Sequence, residues 1–198
     1  MTATLKRIAN GNLLLVGNDS GDIEHVRQAL AGDDKAFEQL LLCHRQRILG
    51  ICLRLLGDRI EAEEAAQESF VKIYFHLKDF DQARDFAAWA ASVAMNECRD
   101  RLRRRVRHSK VFREVTEFDS IRESDTDAIE SQERLIKVEK AIETLPSKLK
   151  EVLVLKAYGN YGYDEIAQIL KVKIGTVMSR LFRARQKLTD IINKDDFI

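Results

Sequence analysis

Proline and glycine are scarce in this chain, and long runs of apolar residues are missing. Of 198 residues, nine are glycine and only one is proline, at Pro146. Because both residues interrupt helices and mark turns, their scarcity predicts an almost wholly α-helical protein. A hydrophobic share of 45% beside 33% charged residues is typical of a globular chain with one large or two small domains.

Cysteines are also few, and their spacing argues against two kinds of site. Cys43, Cys52 and Cys98 are odd in number and form no C-x-x-C pair, which indicates neither a disulfide framework nor a zinc site and favours buried thiols. No apolar run approaches the roughly 20 residues that span a bilayer, and the run at 13–16 is too short for a signal-peptide core. The sequence therefore predicts a cytoplasmic protein without membrane insertion.

Net charge is nearly absent as well, although charge is strongly sorted along the chain. The balance of 33 Lys and Arg against 32 Asp and Glu hides blocks of one sign. Residues 99–113 hold eight Arg or Lys against one Asp, a density that attracts a polyanion by counterion release. Residues 114–133 hold eight Asp or Glu against Arg122 alone, the composition of a disordered linker. This reversal predicts a domain boundary, and the linker is either a passive tether or a functional segment.

The segment from Tyr163 to Lys187 predicts two short helices joined by a tight turn. Residues 171–175 supply the turn, and the first helix carries an apolar stripe at Ile166, Ala167 and Leu170. In the second helix, offsets of zero, four, seven and eleven residues place on one stripe Val177, Leu181, Ala184 and Leu188. This pattern is typical of a helix-turn-helix whose second helix enters a major groove.

The outward surface of that second helix is basic. On a wheel of roughly 100° per residue, the outward side and one flank carry Ser179, Phe182, Arg183, Gln186, Thr176, Arg180 and Lys187. Residues 171–187 contain six Lys or Arg and no acidic residue, so this surface either faces DNA or is simply solvated. Phe182 favours DNA, because an exposed aromatic ring on a basic surface is better explained by contact with a thymine methyl or a sugar.

The first half of the chain predicts a helical bundle. Apolar residues recur at helical spacing from Asp22 to Gly57, and His44 lies on that stripe as a packed core histidine. The next helix collects on one face Glu61, Glu64, Gln67 and Glu68. This face is solvated, docks a basic partner, or belongs to a di-metal site, although no Glu-x-x-His pair supports the metal alternative. Beyond a polar loop at 79–85, Trp89 is a core anchor.

The succession of these features resembles the extracytoplasmic-function (ECF, group 4) class of bacterial sigma factors. The resemblance is carried by residues 61–70, by Phe86-Ala87-Ala88-Trp89 with Asn96, by Leu145-Pro146, and by residues 164–167 and 175–185. It implies an all-α fold of two small helical domains, joined by an acidic flexible linker that holds them apart. The implied divisions are a flexible leader at 1–21, sigma domain 2 at 22–107, the linker at 108–131, and the helix-turn-helix sigma domain 4 at 132–198.

The resemblance also implies three sets of contact residues. Core RNA polymerase would be contacted by Glu64, Gln67, Glu68 and Phe70. The minus-ten promoter element, where the loop receives an unstacked base, would be contacted by Phe80, Arg84, Phe86, Asn96, Arg103 and Arg104. The minus-thirty-five element would be contacted at base edges by Ser179, Phe182 and Arg183, and at phosphates by Thr176 and Arg180.

By this resemblance the chain is not an enzyme and needs neither a cofactor nor a metal. It would bind core RNA polymerase and promoter DNA, open the strands at a stress- or signal-responsive regulon, and be held by an anti-sigma factor. Met178 departs from the family pattern, because Lys or Arg is common at that position. The alternative is a stand-alone helix-turn-helix regulator that binds DNA without polymerase.

Overall fold

The computed structural model describes residues 5–7, 13–15, 19–111 and 138–195, and the regular secondary structure of these residues is helical apart from two short strands. Strands β1 (Leu5–Arg7) and β2 (Leu13–Leu15) pair antiparallel. The first half contains α1 (Asp19–Leu30), α2 (Asp34–Leu56), α3 (Arg59–His76), a 3-10 turn (Leu77–Asp79) and α4 (Phe86–Val111). The second half contains α5 (residues 138–143), α6 (Ser147–Ala157), α7 (Tyr163–Leu170) and α8 (Ile174–Asp195). The all-α prediction is confirmed, and the strand pair is an addition that the sequence pattern does not indicate.

Two predicted segments fall mainly outside the described residues. The acidic linker predicted at 108–131 is described only at 108–111, where α4 continues to Val111. The leader predicted at 1–21 is described only in its two strands and at 19–21. Because α1 already begins at Asp19, the first helix starts three residues before the predicted boundary at Asp22.

The break between α2 and α3 is built from Gly57 and Asp58. Gly57 ends α2 with a φ of 76°, a left-handed conformation that glycine adopts without steric cost. Asp58 begins α3, and its carboxylate accepts a hydrogen bond of 2.7 Å from the amide of Glu61. A side-chain cap of this kind stabilises a helix by about 1 kcal/mol. The two residues therefore stop one helix and start the next within a single turn of chain.

Small side chains are buried on both α3 and α4, which pack against each other. Ala62 and Ala65 of α3 are fully buried, as are Ala91 and Ala94 of α4. Without bulky side chains between them, two helices can approach closely while still excluding water. This contact fixes the acidic outer face of α3 relative to the arginine run on α4.

His44 is the core histidine that the sequence predicts. Its ring is 2% exposed, its Nε2 lies 2.8 Å from the Asp22 carboxylate, and its centroid lies 5.4 Å from that of Phe86. A buried polar ring needs a hydrogen-bonding partner, and Asp22, itself 4% exposed, supplies it from α1. The pair joins α1 to α2, and the ring of His44 also packs against Phe86 at the start of α4.

Helices α7 and α8 form the predicted helix-turn-helix. Lys171 ends α7 with a φ of 54°, and its amide donates to the carbonyls of Ala167 and Gln168. The apolar stripes meet in the interior, where exposure is 6% or less for Ile166, Leu170, Val177, Leu181 and Ala184. Because these side chains face inward, the opposite side of α8 is turned to solvent.

The two halves of the chain pack against each other, which corrects the expectation that they are held apart. Val152, Val154 and Leu155 of α6 are fully buried in the same hydrophobic core as residues of α2 and α4. The Tyr161 hydroxyl, also buried, donates a hydrogen bond of 3.0 Å to the carbonyl of Ala87. The reason for the packing is physical: α6 is apolar on the side that faces α2 as well as on the side that faces α8.

Candidate nucleic-acid and protein interfaces

The outward side of α8 presents the residues predicted to contact the minus-thirty-five element. Ser179, Phe182 and Arg183 are exposed, whereas Thr176 and Arg180 on the flank are half-buried. The Ser179 hydroxyl donates to the Thr176 carbonyl at 3.1 Å, within its own helix. This placement agrees with the helical wheel, which sends the first three side chains away from the core and the other two to one side.

The cations of this surface are not neutralised by the fold. Among the described residues, no ion pair involves the six Lys and Arg of the 171–187 segment, which are Lys171, Lys173, Arg180, Arg183, Arg185 and Lys187. Cations close to one another repel, so an unpaired group of them is a surface that gains from a polyanion. The exposed face of α8 can therefore bind phosphates and base edges without first breaking an internal salt bridge.

The arginine run on α4 is held differently. Arg101 binds Glu97 at 2.7 Å and Glu64 at 3.1 Å, and Arg105 binds Glu61. Burial alone would raise the pKa of Glu97, but hydrogen bonds from Lys72 and Arg101 outweigh it and hold the pKa below its usual value. These arginines join α4 to α3, so part of the basic density predicted to attract DNA is structural.

Arg99 joins the two halves of the molecule. Its guanidinium donates two hydrogen bonds of 2.8 Å to the Glu151 carboxylate on α6. It also donates to the Asn96 side chain at 3.3 Å. The hydrogen bonding to Glu151 raises the pKa of Arg99, against the effect of burial. Sequence reasoning did not find this pair, because its members are 52 residues apart and belong to blocks on opposite sides of the predicted linker.

The residues predicted to contact the minus-ten element divide into two groups. Arg84, Asn96, Arg103 and Arg104 are exposed. Phe80 and Phe86 are only 6% and 3% exposed, and their ring centroids lie 5.0 Å and 5.8 Å from that of Trp89. Both phenylalanine rings are buried against Trp89, and their direct contact with the minus-ten element stays a prediction. Their packing with Trp89 also supports the loop.

Short polar contacts shape the backbone of that loop. The Asp85 carboxylate accepts a hydrogen bond of 2.6 Å from the Ala88 amide at the start of α4. The Asp81 carboxylate accepts one of 3.1 Å from the Ala83 amide. The aromatic residues pack toward the core and these hydrogen bonds hold the loop backbone. Arg84 lies in the same loop, and its side chain is exposed.

The acidic face of α3 contains the predicted polymerase contacts. Glu64, Gln67 and Glu68 are exposed, whereas Phe70 is half-buried and packs on the core. Glu64 is partly neutralised by Arg101, but its side chain stays 61% exposed.

Within the described part of the chain, no group of three or more His, Cys, Asp or Glu side chains is arranged to hold a metal ion.

Three apolar residues extend this face in a way that sequence reasoning missed. Ile60, Val71 and Phe75 are 71%, 49% and 67% exposed. Ile60 precedes Glu64 by four residues, Val71 follows Gln67 by four, and Phe75 follows Val71 by four, so all three lie on the same side of the helix as Glu64 and Gln67. Their separation from the buried stripe of α3 is the signal that could have identified them.

Among the described residues, no helix is both long and apolar enough to cross a membrane.

Comparison with known proteins gives matches in both halves of the chain. The family described as Sigma-70 region 2 matches residues 40–108, and the one described as Sigma-70, region 4 matches residues 135–188. The RNA polymerase sigma-H factor of Pseudomonas aeruginosa is 34% identical over 177 residues, which cover 84% of this chain and 91% of the relative. The ECF RNA polymerase sigma factor SigW of Bacillus subtilis is 32% identical over 174 residues, covering 83% and 93%.

A solved structure resembles the whole arrangement. CnrH, determined in complex with the cytosolic domain of CnrY, superposes with a TM-score of 0.69 at 25% identity, covering 88% of this chain and 99% of CnrH. The likeness therefore extends over both helical halves.

Proposed function

This chain belongs to the ECF sigma factors of bacterial RNA polymerase, and from that premise we propose how its surfaces divide the work of initiating transcription. Helix α8 reads the upstream promoter element, the exposed part of α4 and its preceding loop engage the minus-ten element, and α3 docks on core polymerase. The observation that carries the proposal is the cationic outward face of α8, which has no acidic partner among the described residues.

At the upstream element, α8 combines two kinds of contact. Ser179 and Arg183 point outward, where a hydroxyl and a guanidinium can hydrogen-bond to base edges in the major groove. Thr176 and Arg180 lie on the flank, and a flanking position suits the phosphates that border the groove. The phosphate contacts fix the register of the helix, and the base contacts then select the sequence.

At the minus-ten element, the contacts are made by the exposed members of the predicted set. Arg84 lies on the loop, Asn96 lies on α4, and Arg103 and Arg104 follow on the exposed side of the same helix. The arginines attract the DNA backbone, and the amide of Asn96 can hydrogen-bond to an unpaired base. Phe80 and Phe86 act through the loop that they support.

On α3, Glu64, Gln67 and Glu68 form the docking surface for core polymerase. Charged surfaces of opposite sign accelerate association and fix the orientation of the partners. Phe70 supports this surface from the core side of the helix. Ile60, Val71 and Phe75 add exposed apolar area along the same helix face.

The chain has a second protein partner in this proposal and no catalytic activity of its own. CnrH was solved in complex with the cytosolic domain of CnrY, and we expect this chain likewise to bind a protein partner, an anti-sigma factor. The protein would work in the cytoplasm, where core polymerase and promoter DNA are found.

Reconstitution with core polymerase tests the proposal. The full chain should co-elute with core polymerase in gel filtration and should direct run-off transcription from a subset of a random promoter pool. Core polymerase alone is the control. A chain that binds promoter DNA tightly by itself but neither co-elutes with core polymerase nor supports transcription would instead be a stand-alone regulator.

A further inference from the structure

Helix α8 also has an exposed apolar side next to its cationic face. We call it the apolar flank, and it is distinct from the side that carries Thr176 and Arg180. Ile174, Met178 and Phe182 are 40%, 51% and 61% exposed. They are spaced four residues apart, so they lie in one line along the helix. The buried stripe at Val177 and Leu181 lies on a different side, and the flank therefore has no role in the core of this domain.

This flank lies where base edges would be. Recognition helices contact bases mainly through their N-terminal residues, and Ile174 and Met178 belong to the first two turns of α8. In the major groove, the apolar group that distinguishes one base from the other three is the C5-methyl of thymine. The thioether chain of Met178 and the ring of Phe182 can bury such a methyl but cannot hydrogen-bond to guanine as an arginine would.

We infer that Met178 and Phe182 select thymines in the upstream promoter element by burying their C5-methyl groups, next to the hydrogen bonds made by Ser179 and Arg183. The inference rests on the proposed function and adds the base that this flank prefers. Four residues of helix rise by about 6 Å, and bases along one strand are about 3.4 Å apart. The two selected thymines are therefore about two base-pair steps apart.

Deoxyuridine tests the methyl contact alone, since it pairs as thymidine does and lacks only that methyl. A promoter selected from the random pool is prepared with each thymine of the upstream element replaced singly by deoxyuridine, and open-complex formation is measured with the full chain and core polymerase. Burial of one methyl predicts about a fourfold loss at one or two positions. Elsewhere in the element, the replacement should have no effect.

Variants assign each position to a side chain. Met178→Ala and Phe182→Ala should each lose the deoxyuridine effect at one position, so that thymine and deoxyuridine become equivalent there. Leu42→Ala removes an apolar side chain that is 56% exposed on α2, and it should keep the full effect at both positions. Both α8 variants change exposed side chains, and equal thermal unfolding would confirm that they fold as the parent does.

The outcomes are distinguishable from failure of the proposed function. If the chain directs transcription but no thymine shows a deoxyuridine effect, or if the two variants keep the parent's effect, the inference is overturned and the sigma function stands. Selected promoters that contain no thymine in the upstream element would overturn it as well. If the chain supports no promoter-dependent transcription, the proposed function fails and the inference fails with it.

Discussion

The arginines of α4 and the cations of α8 look alike in sequence and differ in the folded chain. On α4, Arg99, Arg101 and Arg105 are each held by a carboxylate from another helix. On α8, Arg183 and Arg185 are exposed, and neither forms an ion pair with any described residue. The comparison shows that a basic run can stabilise a fold, face a ligand, or do both, and that the position of the acidic residues decides between these roles.

The largest effect is expected where the arginine run is most deeply tied into the fold. Glu97 is 3% exposed and accepts hydrogen bonds from Lys72 and Arg101. Removing one partner of a buried pair costs about 3–5 kcal/mol, and the 40% exposure of Lys72 lowers our expectation for Glu97→Ala to about 2–3 kcal/mol. Urea unfolding measures this loss. Glu38→Ala, at an exposed position of α2, is the control and should change the free energy of unfolding by less than about 0.5 kcal/mol.

The opposite behaviour is expected on α8. Arg183→Ala should leave the free energy of unfolding within about 0.5 kcal/mol of the parent, because the side chain is exposed and has no ion pair among the described residues. It should lose about 1–3 kcal/mol of discrimination at one base of the upstream element. Transcription from single-base promoter variants measures this. If the variant ranks all promoters as the parent does, Arg183 does not read a base.

Glu151→Gln would remove the ion pair of Arg99 with Glu151. This arginine of α4 would then resemble the arginines of α8, which form no ion pair with any described residue. The change weakens the bidentate pair with Arg99, and we expect a loss of about 1 kcal/mol in unfolding free energy, since Arg99 is 26% exposed. The freed charge should steepen the salt dependence of promoter binding by about 0.9 in logarithmic slope. Glu38→Gln, an exposed change on α2, is the control. An unchanged slope together with unchanged stability would show that the pair does not restrain Arg99.

The smallest effect separates two neighbours within the run. Arg104 is exposed and has no partner in the described part of the chain, whereas Arg105 binds Glu61 and the carbonyl of Leu56. Arg104→Ala should flatten the salt dependence of promoter binding by about 0.9 without changing stability. Arg105→Ala should instead lower the unfolding free energy by about 0.5–1 kcal/mol. Identical behaviour of the two variants would mean that the internal pairing has no consequence.

Periodicity was enough to predict the helices and the outward side of α8. Ser179 and Arg183 face solvent because the residue two positions before each, Val177 and Leu181 respectively, occupies the core. The side of a helix on which a residue lies depends only on its spacing from neighbouring residues, so it can be predicted without knowing the tertiary structure. The same reasoning identified His44 as a core residue but not its partner Asp22.

Contacts that depend on tertiary packing were not predictable in this way. Phe80 and Phe86 look available in a polar loop, and only their packing with Trp89 removes them from the surface. The packing of α6 against the first half is equally hidden, because the apolar residues at Val152 and Val154 could have served the second domain alone. Aromatic residues at a loop boundary and apolar residues on two sides of one helix are the signals that would have indicated both.

Cross-linking from α8 would show whether its outward face contacts the upstream promoter element. Ser179 is replaced with the photoreactive residue benzoylphenylalanine in the full chain, an open complex is assembled with core polymerase, and the cross-links are mapped. We expect cross-links to bases of the minus-thirty-five element. Cross-links only to polymerase subunits, or none to DNA in complexes that still transcribe, would contradict this expectation.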